Sequence, residues 1–285
     1  MKFWQSLAFT ELEQTAELAR FCEDLGFHGV TCPDHLVTTA VQADQYLYRE
    51  DGNILWNPAT HWADPWVLIG HLASATTTLR FMTTVYVLPL RDPVTAAKAI
   101  STAAYLSGDR VTLGVGVGWQ KAEFELCGQD FHTRGRRTDE ALDILRGLMS
   151  GAMTEHHGAH YRFEPLQMSP GTRRPVPVMV GGYSDAAMRR AARCDGWLGV
   201  QHEEAELYPL LDRLARCRDE LGRSAEPFEI WTGLRNPSRD AIARLREAGV
   251  TMVNGANFFD ADGKARPSGI DFKKRRIEAF ARQLF

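Results

Sequence analysis

"VTLGVGVGWQKAEFE", residues 111–125, runs from an apolar segment through alternating glycines into a charged stretch. Val111-Thr112-Leu113 reads as a buried strand, and the glycines fall at 114, 116 and 118. The dinucleotide fingerprint G-x-G-x-x-G needs a different spacing, with its third glycine inside the helix. Its acidic ribose reader is due roughly 20 residues on, where this chain instead carries Arg134, Arg136 and Arg137. No Gly-Lys-Ser/Thr follows either, so the P-loop pattern also fails. Alternating glycines bare one face of a strand end, which lets a flat ring or another backbone approach closely. A tight strand-to-helix turn reads the same residues equally well. On both readings the stretch is one strand–helix unit.

Working outward, the unit repeats. Strand candidates are Lys2–Leu7, His28–Cys32, Arg80–Val85, Val111–Val115, Val176–Val180, Gly196–Val200, Phe228–Thr232 and Thr251–Asn254. Helical stripes lie between them. Leu18, Phe21, Cys22 and Leu25 keep i, i+3, i+4, i+7 spacing before Gly26, a helix stop. Val94, Ala97, Ile100 and Ala104 form a second stripe behind Pro93, and Leu142, Leu145 and Leu148 a third. Ser184 is a good N-cap for "DAAMRRAAR". Eight continuous apolar strands, each followed by a helix, predict a parallel sheet covered on its outer side. The α/β class that fits is a (β/α)₈ TIM barrel with insertions after strands 2 and 4, as one domain over residues 1–285. A doubly wound open sheet is the alternative.

With 44% hydrophobic and 24% charged residues the chain can build a full core. A net charge of −3 and no basic block argue against nucleic acid as a partner. No 18-residue apolar run and no apolar leader occur, which predicts no membrane span and a cytoplasmic location. Five scattered cysteines without C-x-x-C read as reduced packing residues.

Two segments interrupt the repeat. Residues 36–63 are long, polar and aromatic, and residues 151–175 contain a hairpin around Gly158. Segments this long are expected to be functional covers or mobile, and loops that follow barrel strands form the catalytic mouth. At the end of the second strand, His35 after Pro33-Asp34 is placed to pass a proton or bond a substrate, or else to cap a turn. Thr83-Thr84-Val85 ends the third strand, where hydroxyls can reach a ring's polar edge or simply favour the strand. Val180-Gly181-Gly182-Tyr183-Ser184 joins a strand to a helix start, a setting for an anion or for a plain turn. Tyr46, Tyr48, Trp56, Trp62 and Trp66 can wall a pocket for a flat substrate, or anchor the loop. His156, His157 and His160 read as a solvated hairpin tip, and no metal site is expected.

"LRFMTTVYVLPLRDPVTAAKAISTAAYLSGDRVTLGVGVGW", residues 79–119, closely resembles the core of the luciferase-like monooxygenase superfamily. Three further pieces follow in order: "PDH" after the second strand, "RGRRTDEAL", and "PVPVMVGGYSDAAMRRAARCDGW". The resemblance implies a barrel holding FMN or the deazaflavin coenzyme F420 in its mouth. It implies a non-proline cis bond at Thr84–Val85 behind the ring, with Asp34, Thr83 and Thr84 flanking that ring. Gly116, Gly118 and Trp119 are implied near ring or substrate. Val180, Gly181, Gly182 and Ser184 match the phosphate turn. His35 matches a proton-transfer histidine of deazaflavin members. Thr39 stands where some of these carry tryptophan, Trp119 where they carry an acid, and Ala122 where they carry asparagine. The expected activity is hydride transfer between coenzyme F420 and a small organic substrate, with catalytic His35 and with Trp56, Trp62 and Tyr48 against the substrate. The alternatives are an FMN-dependent monooxygenase fed by a separate reductase, and a non-catalytic flavin-binding barrel. A second copy of the chain is a further candidate partner.

Overall fold

A computed structural model describes residues 1–39, 46, 49, 51–259 and 263–285. The strands are β1 (Lys2–Ser6), β2 (Gly29–Cys32), β3 (Arg80–Thr83), β4 (Tyr86–Val87), β5 (Val111–Gly116), β6 (Met153–His157), β7 (Arg162–Gln167), β8 (Val178–Gly181), β9 (Gly196–His202), β10 (Glu229–Leu234) and β11 (Met252–Asn254). The helices are α1 (Thr15–Asp24), α2 (Pro65–Ala75), α3 (Pro93–Ser107), α4 (Lys121–Leu126), α5 (Arg134–Met149), α6 (Asp185–Ala192), α7 (Glu204–Glu220), α8 (Arg239–Glu247) and α9 (Ile270–Leu284). Strands β3, β2, β1, β11, β10, β9, β8 and β5 pair in that order, all parallel, and β3 pairs back on β5. The sheet therefore closes into an eight-stave barrel, with β4 continuing the third stave. The open-sheet alternative is excluded by that closure.

Local chemistry sets the helix starts. Asp64 and Asp92 each accept two backbone N–H bonds at a helix entrance and precede a proline in the first turn. Ser184 and Ser238 cap α6 and α8 in the same way. Gly108 closes α3 in the left-handed conformation (φ 68°).

The strand registers sort the barrel into layers. Outward residues such as Val30, Phe81, Val111, Leu113, Val115, Val178 and Val180 pack with the helices in the main core. Inward, Trp4, Met82, Met179, Leu198, Trp231 and Met252 form a separate plug across the barrel. Toward the C-terminal ends of the strands the next inward tier is small or polar. Ser6 and Thr31 stand opposite each other, Asn254 lies beside Trp4, and Gly116 and Gly181 follow the inward Gly114 and Met179. The floor of the mouth is therefore shallow in side-chain volume.

The two interruptions differ. Among the described residues of the segment that follows β2, Trp56 and Trp62 lie against His35 at the mouth, as expected. The segment 151–175 follows α5, not a strand, so it is no cover of the mouth, contrary to expectation. Its hairpin β6–β7 runs back along the outside of α5. The tip is solvated at His157 and Ala159, as expected, but its other residues are held by α5. Glu140 of α5 accepts from the His160 and Tyr161 N–H groups and contacts His156 Nε2 at 3.0 Å. Residues 40–45, 47, 48 and 50, with the Tyr48 position, lie outside the described residues.

Candidate active site

The glycine alternation is explained by the neighbouring stave. A Cβ on Gly114 would lie 1.9 Å from the Thr83 carbonyl oxygen, one on Gly116 would lie 2.4 Å from Val85 Cγ2, and one on Gly118 would lie 2.7 Å from Val87 Cγ1. Three glycines on one stave thus receive three alternate residues of the next. Close approach by another backbone holds at Gly114, and at Gly116 and Gly118 the approaching groups are side chains of this chain. Within this segment the Thr84–Val85 peptide is cis. Val85 packs on the barrel plug and its Cγ1 also lies 3.0 Å from the Cβ position of Gly181, so it fills the floor between two glycines. The Thr83 hydroxyl is buried, donating to the Gly114 carbonyl (2.7 Å) and accepting the Gly114 N–H (2.9 Å). That leaves it shaping the barrel wall rather than free for a ring's edge.

Asp34 holds this segment from the other side. Its buried carboxylate takes both Arg91 nitrogens, at 2.5 and 2.7 Å, and the Val87 N–H at 2.9 Å. Burial works against the Arg91 charge, but Asp34 outweighs it and the guanidinium pKa is raised. Asp34 thereby fixes the strand that carries Val85.

His35 has a partner that the sequence did not reveal. Glu123, on α4 and 2% exposed, lies 3.3 Å from His35 Nδ1 through each carboxylate oxygen. The same carboxylate accepts the Leu36 N–H at 2.7 Å and the Val37 N–H at 3.4 Å. It sets the path of the chain after β2 and, with Nδ1 engaged, leaves Nε2 as the ring nitrogen available for chemistry. The helix after the glycine-rich stave thus reaches across to the histidine of the second stave.

Around His35 stand aromatic rings. Trp56 and Trp62 each have their centroid 5.0 Å from the imidazole, and Trp119 lies at 6.1 Å. Phe9 contacts Trp56, Trp62 and Phe259, and Tyr46 contacts Trp56 and Trp119. Most of these contacts are edge-on, the preferred quadrupole arrangement. Trp56 Nε1 donates to Thr38 (3.2 Å), whereas Trp62 Nε1 is buried with no partner among the described residues. Trp66, also weighed for this wall, packs instead in the main core against Tyr86. Tyr48 lies outside the described residues.

Across the mouth, the turn after β8 is held from three sides. Gly182 adopts φ 115°, a conformation that favours glycine, and its carbonyl accepts from Trp197 Nε1 at 3.0 Å. The Tyr183 hydroxyl accepts the Val200 N–H at 2.7 Å and meets His202 Nε2 at 3.1 Å. Burial keeps the His202 pKa below its ordinary value. Arg213, missed in the sequence, donates to the Tyr183 carbonyl at 2.9 Å and to Asp185 at 2.7 Å. Ser184 caps α6 through the Ala187 N–H. A cation, a helix N-terminus and a bare backbone thus meet at this turn.

The floor offers unspent polar groups. Thr31 Oγ1 and Asn254 Oδ1 are buried without a partner among the described residues, both on staves facing the small tier. A ring with polar edges fits this chemistry. A hollow of about 580 Å³ lies elsewhere, beside Lys2, His28 and Arg80 at the opposite barrel end, away from His35. No cluster of metal-ligating side chains occurs among the described residues. Nor does any helix among them reach the length and apolarity needed to cross a membrane.

Comparison with known proteins agrees with this geometry. The family model described as luciferase-like monooxygenase matches residues 4–279. An uncharacterized protein of Mycobacterium tuberculosis, Rv0940c, is 38% identical over 254 residues, covering 89% of this chain and 88% of its own. Among solved structures, monooxygenase RslO1 from Streptomyces bottropensis superposes with a TM-score of 0.78 at 18% identity, covering 100% of this chain and 98% of that one. An F420-dependent secondary alcohol dehydrogenase, in complex with an F420-acetone adduct, gives 0.73 at 16%, covering 98% of each.

Proposed function

Because the chain belongs to the luciferase-like monooxygenase family, we propose that it is an oxidoreductase that moves a hydride between coenzyme F420 and a small organic substrate. The observation that carries this reading is the His35–Glu123 pair. A hydride leaving an alcohol, or entering an unsaturated bond, must be matched by a proton transfer, and histidine is suited to that near neutral pH. Glu123 holds the ring from behind, which leaves His35 Nε2 to meet a substrate oxygen once one is bound.

When bound, a deazaflavin supplies a ring carbon that gives or takes the hydride and, lacking the flavin's central nitrogen, is poorly suited to oxygen activation. The residues that would hold it are Val85, Gly116 and Gly181 beneath the ring, with Thr31 and Asn254 at its polar edges. Thr83, Thr84 and Asp34 fix the wall behind it. Gly118 shapes the entry of α4, and Trp119, 6.1 Å from the His35 ring, would lie near the ring or substrate. Val180, Gly181, Gly182 and Ser184, with Arg213, would take the phosphate. Trp56 and Trp62 pack their rings against His35 and would limit water there, which suppresses side reactions. The "PDH" resemblance supports the deazaflavin in preference to FMN.

Replacing His35 tests the reading. His35→Ala should leave cofactor affinity nearly unchanged and cut single-turnover oxidation of reduced cofactor by roughly 10²-fold or more. His35→Asn keeps a hydrogen bond but no titratable group, so it should restore substrate binding better than rate. Near-normal rates in both variants would reduce His35 to a turn residue.

A further inference from the structure

We infer that the N-terminal end of the barrel, opposite the mouth, is a second ligand site, built for a monocarboxylate with an apolar body that lies against Phe285 and sets its carboxylate on Arg80. Three adjacent staves converge there. The His28 N–H donates to the Phe3 carbonyl at 2.8 Å and the Arg80 N–H to the His28 carbonyl at 3.2 Å. Lys2, Phe3, His28 and Arg80 thus stand side by side where β1, β2 and β3 begin. They line a hollow of about 580 Å³, a volume in the range of small-ligand sites. The barrel plug, with Trp4 edge-on to His28 at 5.2 Å, separates this hollow from the mouth. The site therefore stands apart from the reading of His35.

The charges around the hollow leave one cation over. Lys2 is paired with Glu229. Glu23 spends its carboxylate on the N–H groups of Thr77, Thr78 and Leu79, at 3.0, 2.6 and 2.8 Å. Arg80 meets no carboxylate at ion-pair distance among the described residues, and its guanidinium donates to the Asp109 carbonyl at 3.3 Å. Asp109 attracts it only from farther off, and Arg174, which shares a smaller hollow with Arg80, adds to the positive field. A half-buried guanidinium with donors to spare matches a carboxylate through its planar fork. The His28 ring makes no side-chain hydrogen bond among the described residues. Burial, with the Lys2 and Arg80 charges, keeps it neutral at neutral pH, so it adds an N–H donor and no second charge. One free cation balances a monoanion. A phosphate dianion would carry an unmatched charge beside Glu229 and Glu23, and a cationic ligand would face Arg80 and Lys2. The body is set by rings. Phe285 is 43% exposed, stacks on Phe3 at 4.6 Å and meets Phe27 at 4.9 Å, so an apolar body covers aromatic surface that is otherwise wet.

Titration of the purified full chain, followed through the imidazole Hε1 resonances at neutral pH, tests this without cofactor. The His28 and His35 resonances are assigned by their loss in His28→Gln and His35→Asn. The probes are phenylacetate, phenethyl alcohol, phenyl phosphate, phenethylammonium and acetate. Phenylacetate should shift the His28 resonance and leave that of His35 in place, binding at least tenfold tighter than each of the other four. Arg80→Gln should weaken phenylacetate at least tenfold and leave phenethyl alcohol unchanged, with the far-ultraviolet circular dichroism of the wild type. If that variant does not fold, the wild-type order of phenylacetate and phenethyl alcohol at His28 decides alone. A shift at His35 alone or no shift at His28 would overturn the inference. So would equal binding of the alcohol or of acetate, tighter binding of phenyl phosphate or phenethylammonium, or an Arg80→Gln variant of unchanged affinity. Because the readout sits at His28, failure here leaves the hydride-transfer reading standing, and the reverse.

Discussion

Glu123 is the residue on which the chemistry of His35 turns. Its carboxylate faces the imidazole and two successive backbone N–H groups from a distance of 86 to 88 residues along the chain. Glu123→Gln keeps an acceptor for the Leu36 N–H but loses the carboxylate that faces His35 Nδ1. We expect turnover to fall about tenfold to a hundredfold, with the unfolding midpoint little changed. Glu123→Ala should instead destabilise the fold by about 1–3 kcal/mol, since it orphans buried donors. A Gln variant with near-normal turnover would make Glu123 purely a loop anchor. His35 was legible in the sequence because a strand's C-terminal end in a barrel faces the mouth. Glu123 was not, since "KAEFE" reads as an exposed charged turn of helix until tertiary packing buries it. Arg213 was hidden for the same reason, one arginine among several on the polar face of α7.

Among the elements, the segment from β3 through β4 carries the most local constraint. It is pressed on β5 through Gly114 and Gly116 and on Gly118 just beyond it, and is tied to the end of β2 by Asp34 and Arg91. Arg91→Met leaves the Asp34 carboxylate buried with only the Val87 N–H, and removing one partner of a buried pair costs about 3–5 kcal/mol. Urea unfolding should show a loss of that order, and a loss under about 1 kcal/mol would mean the pair behaves like a surface ion pair. Gly114→Ala sets a methyl 1.9 Å from a carbonyl oxygen, so the variant should fail to accumulate as folded protein. The strands themselves were legible almost residue for residue, because each is a short apolar run bounded by turn signals. What periodicity did not reveal was the break at 84–85, which entered only through the resemblance. It also gave no hint of the direction of the β6–β7 hairpin, which depends on what α5 offers it.

At the scale of the whole molecule, the two barrel ends divide the labour. The mouth holds the candidate chemistry, while the opposite end carries Lys2, paired with Glu229, and the half-buried His28. Burial, helped by the charges of Lys2 and Arg80, pulls the His28 pKa from 6.5 down to about 4. A base with its folded pKa depressed favours the folded state above its unfolded pKa. That contribution is lost as pH falls from about 6.5 through about 4. Unfolding free energy should therefore drop across this window, and His28→Gln should flatten the drop without altering turnover at neutral pH. An unchanged slope would place the acid sensitivity elsewhere.

The barrel was readable as a whole because eight repeats of one unit leave few closed arrangements. The identity of the ring in its mouth is a matter of a few polar edges, which no periodicity encodes. Equilibrium binding of coenzyme F420 and FMN to the purified apo-protein is the most direct test of the hydride-transfer account. The account predicts coenzyme F420 at least tenfold tighter, about 1.4 kcal/mol, with no oxygen consumed on turnover. Tighter binding of FMN, with oxygen consumed as reduced flavin is supplied, would contradict it and make the protein a flavin monooxygenase.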